Sequence, residues 1–504
     1  MQDKFPRGKA VGEVWKETVV CSAIFVPMYN IAMRPVFLLA LLPFAARADD
    51  AVLARVAVHS ERFGAISRQI WESPELGFHE QKSSALLRDE LRVNGFTIAD
   101  AVAGMPTAFT ASWGSGKPVI GILGEFDALP ELSQKDAPTQ EPVAAGAPGH
   151  GCGHNLLGSG AALAAVAAKE EMQARGLKGT IRFYGTPAEE GGGGKIYMIH
   201  AGLFSDVDVV LTWHPSDANR VNLRSYLANN GAKFKFYGIA SHAASAPEKG
   251  RSALDGALLM LHAVEILREH VPQETRMHYI ISNGGSAPNV VPAFSEVTLV
   301  ARHPDMTTLE SIWPRILKCA QAGALATETR LEVEQSTNYA STLPNDALSA
   351  LVGRNMRKAG GYECSAEERK FAEEIRKSIS AAKNLPGPDK VLADAAEGSD
   401  SASTDVGDVS WNVPTLSFTA ATYVPGTAAH SWQATAQAGM SIGRKGMLVA
   451  ARTLALSVVD LLQDANAIDA AKVSFEERKA GRTWTTHINP GSKPPLNYRE
   501  SESR

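Results

Sequence analysis

The chain has 504 residues, long enough for more than one domain. Hydrophobic residues make up 44% and charged residues 21%, an ordinary globular balance. The formal net charge of -4 lacks the basic excess of a nucleic-acid binder, so no nucleic-acid partner is expected. Cysteine is too sparse for a disulfide framework: Cys21, Cys152, Cys319 and Cys364 are the full set, and Cys319 and Cys364 are expected as free thiols.

The stretch "MRPVFLLALLPFAARADD" begins at Met33. It joins a basic residue, Arg34, to an apolar run and a small-residue Ala-Arg-Ala ending at Ala48. That is the layout of a secretory signal peptide near 33–48, which predicts a periplasmic or secreted protein and no stable membrane span. On this reading Met33 is the true start and residues 1–48 are an over-long N-terminus plus leader. The alternative is a buried N-terminal helix in a cytoplasmic protein.

From Asp50 to Asn94 the apolar spacing is helical. "AFTASWG" and "PVIGILGEF" read as strands, the second as one buried on both faces. An alanine-rich helix is predicted over 158–176, then strands in "GTIRFYGTP" and "DVDVVLTWHP". This alternation predicts an α/β fold, a mixed, mainly parallel sheet flanked by helices, with chemistry at the carboxyl ends of the strands. Between 227 and 339 the order becomes β-α-β-β-α-β, with helices over 251–270 and 307–325, as in an inserted ferredoxin-like unit. The first pattern resumes over 340–475 and includes an amphipathic helix at 440–463. Residues 476–504 read as a polar tail. The expected layout is therefore a catalytic domain in two parts, 50–226 and 340–475, around an insert at 227–339.

Four loops concentrate reactive side chains. "HGCGHN" sets Cys152 two residues from His154, just before a helix whose N-terminus favours thiolate. Thiolate and imidazole suit a borderline metal. "GTPAEEGGGG" places Glu189 beside Glu190; adjacent carboxylates repel unless a cation or a division of labour offsets the cost. "TWHP" puts His214 at a strand end, and "PGTAAHSW" puts His430 in a glycine-containing loop. Taken singly, each has a bland reading: a structural cysteine, a solvated acidic turn, a loop histidine. Together they suit two metal ions a few Å apart, with Glu190 a ligand and Glu189 the general base for an activated water.

With "GEFDALP" and "SHAASAPEKGRSALD", these motifs resemble the metal-dependent amidohydrolases that include aminoacylases, glutamate carboxypeptidases and indole-acetyl-amino-acid hydrolases. The resemblance covers roughly 50–465 and implies a di-metal domain with an inserted lid that also dimerises. It implies Cys152, His154, Glu190, His214 and His430 as ligands of two divalent ions, Mn(II) or Zn(II), and Glu189 as base. His242 matches a lid histidine that helps hold the oxyanion, often across a dimer; Asn289 matches a substrate-side lid residue. Arg302 lies near the family's substrate-facing arginine, although its flanks differ. Asp127 has no secure role beyond capping, while Asp405 and Asp408 are expected as supports of the site. Lys195, Lys249 and Arg251 read as solvated or anion-facing. The implied reaction is hydrolysis of a small N-aroyl or N-acyl amino acid, p-aminobenzoyl-glutamate first, by a homodimer or a heterodimer with a related subunit. The alternatives are an aminoacylase or dipeptidase for other amides, and a non-catalytic partner subunit.

Overall fold

Strand β3 (Val119–Glu125) is buried at every position, and its side chains explain why. Ile120 and Ile122 join one hydrophobic cluster while Leu123 joins another on the opposite face. A strand so placed can only sit inside a covered sheet, and each fully buried aliphatic side chain contributes roughly 1.5–3 kcal/mol. The computed structural model describes residues 48–499 apart from 222, 381–383, 396, 485 and 489. The leader read at 33–48 lies outside these residues except for Ala48, where the first helix starts, and Cys21 lies outside them too.

The other strands of this sheet's first half are β1 (Thr97–Asp100), β2 (Phe109–Ser115), β4 (Gly179–Thr186), β5 (Val209–Ser216) and β6 (Arg220–Val221). A second sheet follows: β7 (Ala228–Tyr237), β8 (Arg276–Asn283), β9 (Phe294–His303) and β10 (Arg330–Tyr339). The chain then returns to the first sheet with β11 (Thr415–Ala421). The large sheet has the order β1-β2-β4-β3-β5-β11-β6. Its central pairs, β4–β3, β3–β5 and β5–β11, are parallel; β1, β2 and β6 attach antiparallel. The carboxyl ends of the four central strands therefore open on one edge.

Helices Ala48–Glu72, His154–Arg175 and Ser441–Gln463 cover one face. Helix His154–Arg175 is buried without a break through Ala168, and its alanines let it press against sheet and neighbours alike. The shorter helices Gly194–His200 and Val406–Ser410 cover the other face. Ser441–Gln463 is long and apolar enough to cross a membrane, but it is mostly buried inside the protein as a core helix.

The smaller sheet has the order β10-β7-β9-β8, all antiparallel. Strand β9 alternates half-buried and buried residues, the period of a sheet covered on one face. Helices Ala253–Leu267 and Met306–Ala326 supply that cover, around Phe234, Phe236, Val264, Leu299, Trp313 and Ile316. The β-α-β-β-α-β order read from the sequence is present. The closing segment differs from expectation. Helix Ala465–Lys479 runs past 475, and the chain beyond it packs back on the fold, with Trp484 donating to Asp408 at 2.8 Å.

Candidate metal centre and active site

The site grows from the carboxyl-end edge of the large sheet. Strand β3 ends at Glu125, and Asp127 follows two residues later. His154 is the first residue of its helix, Gly153 taking a left-handed turn (φ 73°) just before it. Thus Cys152 and His154 come from a loop that turns tightly into the core. After β4 the chain passes through Ala188, itself left-handed at φ 58°. That costly conformation is held by Glu80, whose Oε1 accepts the Ala188 N–H at 2.9 Å. The glycines after Glu190 have two separate reasons. Gly191 sits at φ 136°, and a side chain on Gly194 would stand 2.2 Å from the Pro187 carbonyl oxygen. His214 lies inside β5, and His430 in the loop after β11 adopts φ 56°, its N–H bonded to the Gly151 carbonyl at 2.9 Å.

These loops bring the predicted residues together. Cys152 Sγ stands 3.4 Å from His214 Nε2, and His430 Nε2 3.3 Å from Glu190 Oε1. Within 4.8 Å of one another lie ligand atoms of three overlapping trios: Cys152, His154 and His214; Cys152, Glu190 and His430; and Glu125, His154 and Glu189. Asp127 does more than cap a loop. Its Oδ1 faces His154 Nδ1 at 2.9 Å, and its Oδ2 accepts the Glu190 N–H at 2.9 Å. A carboxylate behind a ligating histidine fixes the ring's orientation and tautomer.

The electrostatics call for a cation. Burial pushes the Glu189 carboxyl well above the usual range, and repulsion from Glu125, Glu190 and Asp405 adds to it. Burial also pushes the Cys152 thiol well up, with Glu190 adding to the effect. The helix N-terminus expected to favour the thiolate is therefore outweighed. Burial works on Glu190 too, but the nearby imidazoles of His430 and His154 hold it below the ordinary value. Glu125 Oε2, His154 Nε2 and Glu190 Oε1 are buried with no hydrogen-bond partner among the described residues. Orphaned acceptors converging at like-charged groups are what divalent ions satisfy, and sulfur, nitrogen and oxygen donors together suit a borderline metal. The residues present fit such ions.

Beside this edge opens a cleft of about 590 Å³. One wall carries Cys152, Glu189, Glu190, His214 and His430; the second sheet supplies Asn229, Val300 and Arg302 to the other. Asn229 and Arg302 are cross-strand partners on β7 and β9, which puts both on the cleft face. Arg302 is partly buried: burial lowers its pKa, Nη1 reaches the Ser401 carbonyl at 3.5 Å, and Nε has no hydrogen-bond partner among the described residues.

His242 and Asn289 are not brought into this cleft. They sit on adjoining exposed loops, with the Ala243 N–H bonded to the Asn289 carbonyl at 3.0 Å and His242 bridged to Val290. Lys195 departs furthest from expectation. Rather than solvated, it is fully buried, 2.8 Å from Glu125 and 2.6 Å from Asp405. Lys249 is exposed, and Arg251 pairs with Glu328 at 2.7 Å. Asp405 and Asp408 are both buried supports, as expected. Glu125, Glu80 and the burial of Lys195 were missed in the motif reading; the only sequence signal for Glu125 is its place at the end of an apolar strand.

The model for Peptidase family M20/M25/M40 matches residues 121–456. The chain belongs to that family. It is 40% identical over 457 residues to one of the subunits of p-aminobenzoyl-glutamate hydrolase from Escherichia coli, covering 85% of this chain and 94% of that protein. It is 33% identical over 438 residues to the Xaa-Arg dipeptidase of Mus musculus, covering 84% and 90%. Among solved structures, the aminobenzoyl-glutamate utilization protein from Klebsiella pneumoniae shares the fold, with a TM-score of 0.57 at 18% identity over 82% of this chain and 98% of that one. As a member of the M20 family the chain is a metal-dependent amidohydrolase or peptidase.

Proposed function

We propose that the chain hydrolyses the amide bond of an N-aroyl or N-acyl amino acid, with p-aminobenzoyl-glutamate the first candidate, giving p-aminobenzoate and glutamate. The observation that carries this reading is the meeting of five donors with a buried carboxylate, Glu189, on one wall of a cleft whose other wall holds Arg302. Cys152, His154, Glu190, His214 and His430 would hold two ions, Mn(II) or Zn(II). When bound, such ions would supply Lewis acidity toward the amide carbonyl and water.

The protein's own groups do the rest. Glu189, buried beside the donors with a carboxylate oxygen in the Glu125–His154 group, is placed to take a proton from water and return it to the leaving amine nitrogen. Arg302 offers its Nε and remaining guanidinium hydrogens to the substrate carboxylate, a charge-assisted contact inside a partly desolvated cleft. Asp127 keeps the His154 ring in register. His242 and Asn289 are exposed and outside the cleft, which supports a second copy or a related subunit delivering them. Strand β8 ends its sheet with Ile280 64% and Ile281 41% exposed, an open apolar edge suited to such pairing.

The test is hydrolysis by the purified chain alone, across p-aminobenzoyl-glutamate, N-acyl amino acids and Xaa-Arg dipeptides. Glutamate release fastest from the aroyl substrate supports the reading. A preference for dipeptides moves the assignment to the alternative. Activity only after a related second subunit is added makes the enzyme a heteromer.

A further inference from the structure

Glu125 and Lys195 are charged, buried and outside the five-donor set. Glu125 is 2% exposed and Lys195 0%. The Lys195 ammonium stands 2.8 Å from Glu125 Oε1 and 2.6 Å from Asp405 Oδ1. The Lys195 backbone N–H donates to Asp405 Oδ2 at 3.0 Å, so both Asp405 oxygens are used. Glu125 uses only one. Its Oε2 is buried, has no hydrogen-bond partner among the described residues, and lies 3.3 Å from His154 Nε2, which also has none. His154 Nδ1 is already engaged by Asp127. A proton shared between Nε2 and Oε2 would relieve the contact, but the pair does not have hydrogen-bond geometry. With a single ring proton held on Nδ1 by Asp127, Nε2 and Oε2 are two buried acceptors facing each other, a contact that costs free energy unless a second proton or a cation sits where both point. An oxygen of Glu189 completes this group within 4.8 Å.

We propose that Glu125 is a further carboxylate ligand of the metal centre, and that Lys195 is its positioning residue, holding one oxygen so the other is presented beside His154. The inference rests on the metal centre proposed above and adds a member to it. Lys195 suits the task because its ammonium spans two carboxylates without solvent contact; it cancels part of their charge while leaving Oε2 free. Glu189 stays the base, close enough to act on water at the same edge. The ion at Glu125 and His154 then has an oxygen-rich environment, whereas the one at Cys152, Glu190 and His430 has sulfur, so the two positions differ in the metals they favour.

The direct test is anomalous diffraction from crystals of the full chain soaked in Mn(II) or Zn(II). The expected result is a peak about 2.0–2.2 Å from Glu125 Oε2. Ions at Cys152, Glu190 and His430 with none in reach of Glu125 overturn this inference alone; no ion anywhere in the cleft overturns the metal centre itself. In solution, Glu125→Gln keeps the shape and the Lys195 contact. It should raise the dissociation constant of one bound ion at least tenfold in chelator competition, and an unchanged constant refutes ligation. Lys195→Met alone would strand two carboxylates, so its role is read in Lys195→Met with Asp405→Asn. That pair should weaken the same ion, whereas wild-type binding there removes the positioning role.

Discussion

Replacing Asp127 by Asn separates metal retention from folding. The wild-type carboxylate is 1% exposed and makes two bonds, to His154 Nδ1 and from the Glu190 N–H, each 2.9 Å. A carboxylate can only accept, so Nδ1 carries the proton and Nε2 keeps its lone pair for an ion. In Asp127→Asn the amide oxygen still takes the Glu190 N–H, but the amide nitrogen must now donate to Nδ1. That moves the ring proton to Nε2, where it blocks ligation. One charge-assisted bond becomes neutral and none is orphaned, so stability should fall by only about 1–2 kcal/mol. Metal affinity should fall by roughly 10–100-fold, the effect of losing the carboxylate behind a ligating histidine. The assay is chelator competition on metal-free protein titrated with Mn(II) or Zn(II), with thermal unfolding of the same samples. An Asp127→Asn protein that holds its ions as tightly as the wild type refutes the tautomer argument.

Three other outcomes follow from the same geometry. Glu189→Gln should lower turnover by about 10²–10⁴ while the ions stay bound; near-normal turnover removes Glu189 as the base. Arg302→Met should raise KM by about 10–100-fold for substrates bearing the free α-carboxylate, as expected for a lost charged hydrogen bond, and far less for the carboxamide analogue; equal effects on both deny it the carboxylate contact. Burial, with some repulsion from Asp405, pushes the Asp408 carboxyl to about 8. Its folded pKa is thus above its unfolded one, so its contribution is full below about pH 4 and is lost as pH climbs toward 8, by up to roughly 6 kcal/mol. Asp408→Asn keeps an acceptor for Trp484 and should lose less melting temperature than the wild type between pH 5 and 8. Parallel curves would contradict this.

What the sequence made legible is the part of the site carried by local punctuation. Cys152, Glu189, Glu190 and His430 lie in glycine-containing loops, His154 opens the helix that follows one of them, and His214 stands near the carboxyl end of β5, where the parallel centre of the sheet aligns the strand ends. The inserted β-α-β-β-α-β order showed through because its strands alternate, β9 most plainly. Charges whose meaning depends on burial were hidden. Lys195 follows four glycines and looks like a surface residue; the glycine turn instead folds it beneath the sheet edge onto Glu125 and Asp405. Strand β11 was missed because "TLSFTAA" is short and half polar, and its central place comes only from pairing with β5 and β6. Arg302 was read on the substrate side from resemblance alone, and the β7–β9 register supplies the physical reason by setting it across from Asn229 on the cleft face. His242 and Asn289 were singled out by their motifs, yet their own chain leaves them on exposed loops outside the cleft.

The measurement that bears most directly on the account is metal content and glutamate release from p-aminobenzoyl-glutamate on one preparation, before chelation, after it, and after ions are restored. Two ions per chain with hydrolysis lost and regained alongside them is the predicted result. Hydrolysis that persists after the ions are gone would contradict it.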